Sequence, residues 1–200
     1  MPTGMFHGIT TNPKLFAAVD LHYSTIDWAR YFQSAKDVGA QELHVQVPRI
    51  DNNSAEWVLE RYAIAGSLGL EMIAKVPLTE EGARLATLLR KNGVKLLMTA
   101  GYHAKQLYIA AGLGAEYFAP YFGRMADAGR DTDHHFRQMA AIEAQSNTKV
   151  MVASLRTPEQ MLALSEMGLS HFTISPAVAD AIMYDDLTLA AVEEFEAAIN

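Results

Sequence analysis

Two hundred residues, half of them apolar, are enough for one domain with a sizeable core. Sixteen Lys and Arg against 23 Asp and Glu leave a formal charge of −7 with no basic cluster, so nucleic acid and anionic membrane surfaces are poor partners. Cysteine is absent, which removes disulfides, thiolate metal sites and cysteine catalysis, and with no signal-like N-terminus and no apolar run of membrane-spanning length the expectation is a cytoplasmic protein.

Strand and helix signals then alternate along the chain. Residues 5–10 are predicted as a short strand closed by Thr11-Asn12-Pro13. Helical periodicity starts at Ser24-Thr25-Ile26-Asp27 and runs to Gly39, with Trp28, Tyr31, Phe32 and Ala35 on one face. Residues 42–47 form the second strand, ended by Pro48, and a helix opened at Ser54 closes near Gly69. Residues 70–76 are the third strand, which carries Lys75 near its end. Thr79 is a predicted N-cap with Glu80 and Glu81 in the first turn, where acidic side chains suit the helix dipole, and this helix stops at Asn92-Gly93. Residues 94–99 make a fourth strand, a helix follows over about 103–113, and residues 116–119 make a fifth strand closed by Pro120. Residues 123–132 read as a polar loop leading to a helix that ends around Ser146. Residues 149–153 are the sixth strand, and Thr157-Pro158-Glu159 has the N-cap and first-turn proline of a helix stopped by Gly168. Residues 171–174 are the seventh strand, and helices over 176–183 and 188–199 finish the chain.

Strands alternating with helices through short turns mean a parallel sheet covered by helices, an α/β fold. The rhythm suits a (β/α)8 TIM-type barrel more than an open sheet, yet only seven strands are evident and the first βα unit is absent from the count. Residues 1–200 are read as one barrel domain.

Reacting groups in such barrels come from the carboxyl ends of the strands. Read in turn, those ends hold Thr10, Thr11 and Asn12, then Gln46, Lys75, Thr99, Tyr121 with Arg124, Ser154 with Arg156, and Ser175. Burial at a strand end can lower the pKa of a lysine and make it a neutral nucleophile. The plainer alternative is an ammonium that snorkels into water. An amide, a phenol and two guanidinium groups around one amine favour an amine-based site. No carboxylate stands at a strand end, which argues against a proton-abstracting isomerase.

Four stretches carry a family resemblance: Gly8-Ile-Thr-Thr-Asn-Pro13, Lys75-Val-Pro-Leu-Thr79, Glu116-Tyr-Phe-Ala-Pro-Tyr-Phe-Gly-Arg124 and Val152-Ala-Ser154. In order and spacing, over essentially the whole chain, they resemble the transaldolase family, and its short, fructose-6-phosphate aldolase-like branch in particular. The resemblance implies a (β/α)8 class I aldolase that needs no metal or other cofactor. Lys75 would form a Schiff base with a ketose or ketose phosphate, and the enamine would carry C–C cleavage or formation. Asn12, beside Thr11, would contact the bound intermediate, and Thr99 would orient the catalytic water or the carbinol. Gln46 and Tyr121 stand where the aldolase branch has glutamine and tyrosine and the true transaldolases have glutamate and phenylalanine. Tyr121, with water held by Gln46 and Thr99, would shuttle the proton. Arg124 and Ser154 match positions that hold a substrate phosphate, and Arg156 would add charge nearby. A homo-oligomer is implied as well.

One departure stands out. The family's first strand ends in an aspartate that assists proton transfer, and this chain begins just before the second family strand. An internal start at Met1 is the favoured expectation, ahead of a partner chain that completes the barrel. A 200-residue physiological chain would be weakly active or inactive, which makes a degenerate phosphosugar-binding homologue the alternative function. Asp131-Thr-Asp133-His134-His135 has metal-binding residue types but adjacent positions, and reads as a helix start. His7, His44 and His171 read as packed strand residues, and His103 as a candidate pocket-lining group.

Overall fold

Strands buried on both faces form the centre of the molecule in a computed structural model that describes residues 4–199. In chain order the elements are β1 Gly8–Thr10, α1 Pro13–Ala17, α2 Trp28–Asp37, β2 Glu42–Gln46, α3 Ser54–Ser67, β3 Glu71–Pro77, α4 Glu80–Lys91, β4 Lys95–Gly101 and α5 Gln106–Gly112. They continue as β5 Tyr117–Pro120, α6 Phe122–Asp127, α7 Thr132–Glu143, β6 Lys149–Val152, α8 Pro158–Glu166, β7 His171–Phe172, α9 Pro176–Met183 and α10 Asp186–Ala197. The seven strands pair in parallel in sequence order, β1 to β7, with helices between them. Outward-facing Leu43, Val45, Met72, Ala74, Leu96, Met98 and Phe118 join Phe32, Leu89, Leu107 and Phe136 of the helices in the main core. Inward-facing Ile73, Leu97, Ala119 and Met151 make a second, smaller core. The period-2 alternation of a pleated strand separates the two sets.

The sheet curls into a half-barrel, far enough for one side-chain contact between its first strand and the segment just past its last. Thr10 Oγ1 at the end of β1 lies 2.6 Å from Thr173 Oγ1 just past β7. The staggered register of the inner strands places Gln46 of β2 opposite Lys75 of β3, and Pro77 of β3 opposite Thr99 of β4. The predicted fold class therefore stands, with seven strands of a (β/α)8 pattern.

Several boundaries differ from the sequence reading, each for a local reason. Residues 11–13 open a helix instead of only closing a strand: the Asn12 side chain accepts from Leu15 N at 2.9 Å and Pro13 takes the first helical position. The helix expected from Ser24 starts at Trp28, because the Asp27 carboxylate accepts from Arg30 N at 3.0 Å. The polar loop expected from 123 is α6 as far as Asp127. β1 covers only Gly8–Thr10 of the predicted 5–10. Thr79 does cap α4, accepting from Gly82 N at 3.1 Å. Asp131 caps α7, accepting from His134 N at 3.0 Å. The expectation of an internal start at Met1 lies outside the described residues. Among the described residues no helix is long and apolar enough to cross a membrane.

Candidate functional site

Lys75 sits on the inner face of β3 with 5% of its surface exposed. Burial pushes its ammonium down to about 8. Its Nζ donates to the Thr11 carbonyl at 2.9 Å. Thr11 is itself fixed, with its backbone N–H and its hydroxyl both donating to the His44 carbonyl, at 2.9 and 2.8 Å. The turn after β1 is thus tied to β2 so that one carbonyl points at the amine. The ammonium does not snorkel; it is held inside the curl.

Thr99 and Tyr121 form a second group on the same rim. Thr99 Oγ1 lies 2.9 Å from Tyr121 Oη. Tyr121 continues the line of β5 through a bridge to Ala153 and a bond from its N–H to the Gly101 carbonyl at 3.0 Å. The end of β4 is irregular, with a register shift between Met98 and Gly101. Ala100 takes φ 61° there, and Ser154, at the end of the neighbouring β6, takes φ 64°. Side chains rarely occupy the left-handed region, and such strain collects at functional rims.

Arg124 lies 4.8 Å over the Tyr121 ring, and its Nη1 donates to Tyr102 Oη at 3.4 Å. Tyr102 meets Tyr121 edge-on at 5.6 Å. Tyr102 was not anticipated as a site residue; its one signal was a position directly after the fourth strand. α6 approaches Ser154 closely, with Gly123 N donating to the Ser154 carbonyl at 3.1 Å. A Cβ on Gly123 would fall 2.5 Å from that oxygen, and 3.1 Å from both Ser154 Oγ and Arg156 Nε. Ser154 and Arg156 are therefore brought together over the start of α6. The Arg156 guanidinium pairs with both carboxylate oxygens of Asp127, one at 3.0 Å, so part of its charge is already answered. Asn12 uses its side-chain oxygen to cap α1, which leaves its amide N–H groups for a ligand. Gln46 stands beside Lys75 in register, with its carbonyl taking a bond from Tyr23 Oη at 3.0 Å. His103 packs on His135 of α7, with ring centroids 4.3 Å apart.

A cleft of about 340 Å³ lined by Arg90, Glu116, Ser146 and Thr148 holds none of these groups. It lies where β5 and β6 begin, the end that serves stability in barrels of this kind. The carboxyl rim is where a poised amine, a phenol–hydroxyl pair and guanidinium groups coexist, and amine chemistry on a small polar carbonyl compound is what that set can do.

Residues 1–200 match the Transaldolase/Fructose-6-phosphate aldolase family. A probable transaldolase of Methanococcus maripaludis is 28% identical over 197 residues, covering 96% of this chain and 86% of that relative. Probable transaldolases of an Anaeromyxobacter species and of an Exiguobacterium species are 29% and 28% identical over 194 and 199 residues, covering 86% and 89% of their lengths.

Proposed function

The chain belongs to the transaldolase/fructose-6-phosphate aldolase family, and on that premise we propose that it is a class I aldolase or transaldolase acting on a ketose or ketose phosphate through a Schiff base on Lys75. The observation that carries the reading is the buried Lys75, whose ammonium is held down to about 8 at the carboxyl end of β3. Neutral Lys75 attacks the ketone and loses water to an iminium, which then withdraws electrons from the C–C bond that breaks. Tyr121, hydrogen-bonded to Thr99, moves the proton, with Gln46 holding a water beside it. Asn12 and the Thr11 turn contact the hydroxyls of the intermediate. Arg124 and Ser154 receive the phosphate of a phosphorylated substrate, and Arg156 supports them through its place over Gly123.

Reductive trapping tests this. Dihydroxyacetone or fructose 6-phosphate with cyanoborohydride is expected to add the reduced sugar to the peptide that contains Lys75. The rate follows the neutral amine. With a pKa of about 8 the neutral fraction is roughly a tenth at pH 7 and nine-tenths at pH 9, so trapping rises about ten-fold and then levels. No adduct at any pH up to about 9 would sink the reading and leave a phosphosugar-binding homologue without the chemistry. Tyr121→Phe removes the hydroxyl that meets Thr99. Turnover is expected to fall about 10²-fold with trapping retained, because proton transfer follows imine formation. Steady-state rates set beside trapping yields separate the two steps.

A further inference from the structure

His44 is 2% exposed and stands on the inner face of β2, two residues before Gln46. Its Nε2 lies 3.0 Å from Glu42 Oε2. Tyr117 Oη of β5 donates to the same carboxylate at 3.2 Å to each oxygen, and His7 Nε2 approaches it at 3.6 Å. The bond to His44 holds the Glu42 carboxyl below its usual range, so the group is an ionised acceptor. Nε2 must then carry the ring proton, and in the neutral imidazole Nδ1 is left as a lone pair. That Nδ1 is buried and has no hydrogen-bond partner among the described residues. A buried acceptor with nothing to accept is costly, and it marks a place where a donor belongs.

The register places a donor on the neighbouring strand. Gln46 is opposite Lys75, so His44 is the diagonal neighbour of Lys75 on the same inner face, near enough for the ammonium to disfavour a charge on the imidazole. A buried ammonium has three protons, and one goes to the Thr11 carbonyl. Burial, with Lys75 and His7 adding to it, keeps His44 neutral and therefore able to accept. Ring contact with Tyr117 at 5.4 Å, and His171 beyond Tyr117 at 6.1 Å, close the pocket from β5 and β7.

We infer that Lys75, His44 and Glu42 form a nucleophile–base–carboxylate relay inside the curl, in which His44 Nδ1, directly or through one water, accepts the proton that Lys75 loses as it attacks the ketone. The inference rests on the Schiff-base reading above. The lysine nitrogen forms the C–N bond while the carbonyl π pair moves to oxygen. His44 takes the nitrogen proton, Glu42 stabilises the imidazolium, and the proton returns to the carbinol oxygen. That transfer gives the neutral carbinolamine. Its hydroxyl leaves as water once it takes up one further proton from the medium, equal to the one Lys75 released there on becoming the neutral amine. Ammonium plus ketone thus gives iminium plus water, and no outside reagent is needed.

Two measurements judge it. Nitrogen-detected NMR of the imidazole is expected to show an unprotonated Nδ1 whose shift inflects near pH 8 as Lys75 titrates, and Lys75→Met should abolish the inflection. A protonated Nδ1, or no inflection, overturns the relay whether or not the protein is an aldolase. In reductive trapping, His44→Phe is expected to slow adduct formation at saturating dihydroxyacetone by about 10²-fold with half-saturation unchanged, and Glu42→Gln by about ten-fold. A His44→Phe protein that traps at the wild-type rate, or that differs only in half-saturation, also overturns it. A wild-type protein that forms no adduct defeats the parent reading instead, and the NMR inflection then decides the pair by itself.

Discussion

Lys75→Met is expected to abolish adduct formation and lower turnover by at least about 10⁴-fold while making the fold more stable at pH 7. Methionine keeps the length and most of the packing volume and removes the charge and its donor protons. The gain follows from linkage. Lys75 falls from an ordinary 10.5 to about 8 in the folded protein, a gap worth about 3 kcal/mol. Above the unfolded value the amine is neutral in both states and burial costs nothing on this account. As pH falls below 10.5 the unfolded chain takes up the proton first and is favoured. Below about 8 the folded chain is protonated too, and the full penalty is in place. The wild type should therefore gain stability between pH 8 and pH 10.5, and the variant should not. Loss of the bond to the Thr11 carbonyl offsets part of the gain. The net expectation at pH 7 is about 1–3 kcal/mol, or roughly 3–10 °C in thermal midpoint for a chain of this size. Calorimetry at pH 7 and pH 10 measures both quantities. A variant less stable than wild type at pH 7, or one that still turns over, contradicts the placement of Lys75 as a strained nucleophile.

The parts of this arrangement that could be read from sequence are those set by short-range physics. Alternating strand and helix periods gave the order of all seven strands, and caps such as Thr79 and Thr157 marked helix starts because their side chains reach an amide only three residues on. Lys75 stood out because an apolar run ends on it. What stayed hidden depends on residues far apart in the chain. α6 looked like a loop because Gly123 is a poor helix former; what it serves is the approach to a carbonyl at Ser154. Asp127 and Arg156, 29 positions apart, gave no sign of pairing, and Arg156 looked like a spare phosphate ligand for that reason. Tyr102 gained its place only when β4 and β5 lay side by side under Arg124. His44 is the intermediate case. Its spacing from Glu42, two residues on a strand, already put both on one face, but the orphaned Nδ1 that raises it above a packed histidine needs the neighbouring strands.

Two glycine-to-alanine changes in helices should move stability in opposite directions, and the larger effect reaches the site. Helix propensity alone favours alanine by about 1 kcal/mol at either position. At Gly66, in the last turn of α3, an added Cβ meets nothing within 4 Å, so Gly66→Ala is expected to stabilise by about 0.5 kcal/mol. At Gly82, in the first turn of α4, the Cβ would lie 1.9 Å from the Pro77 carbonyl oxygen and 3.1 Å from its carbon. Both sides of that contact are backbone, and no side chain can rotate away. Relief requires moving α4 off the sheet or shifting the end of β3, which carries Lys75 two residues before Pro77. Overpacking of this kind costs more than propensity returns, and the net expectation for Gly82→Ala is a loss of about 2–4 kcal/mol. A displaced β3 end also misplaces the amine against Thr11 and Gln46, so turnover should drop at least about ten-fold beyond any loss of folded protein. Urea unfolding midpoints at constant m-value give the stabilities, and trapping per mole of folded protein gives the second effect. If Gly82→Ala unfolds at the wild-type midpoint, α4 does not press on Pro77 in solution, and the close packing that would hold Lys75 in place is wrong.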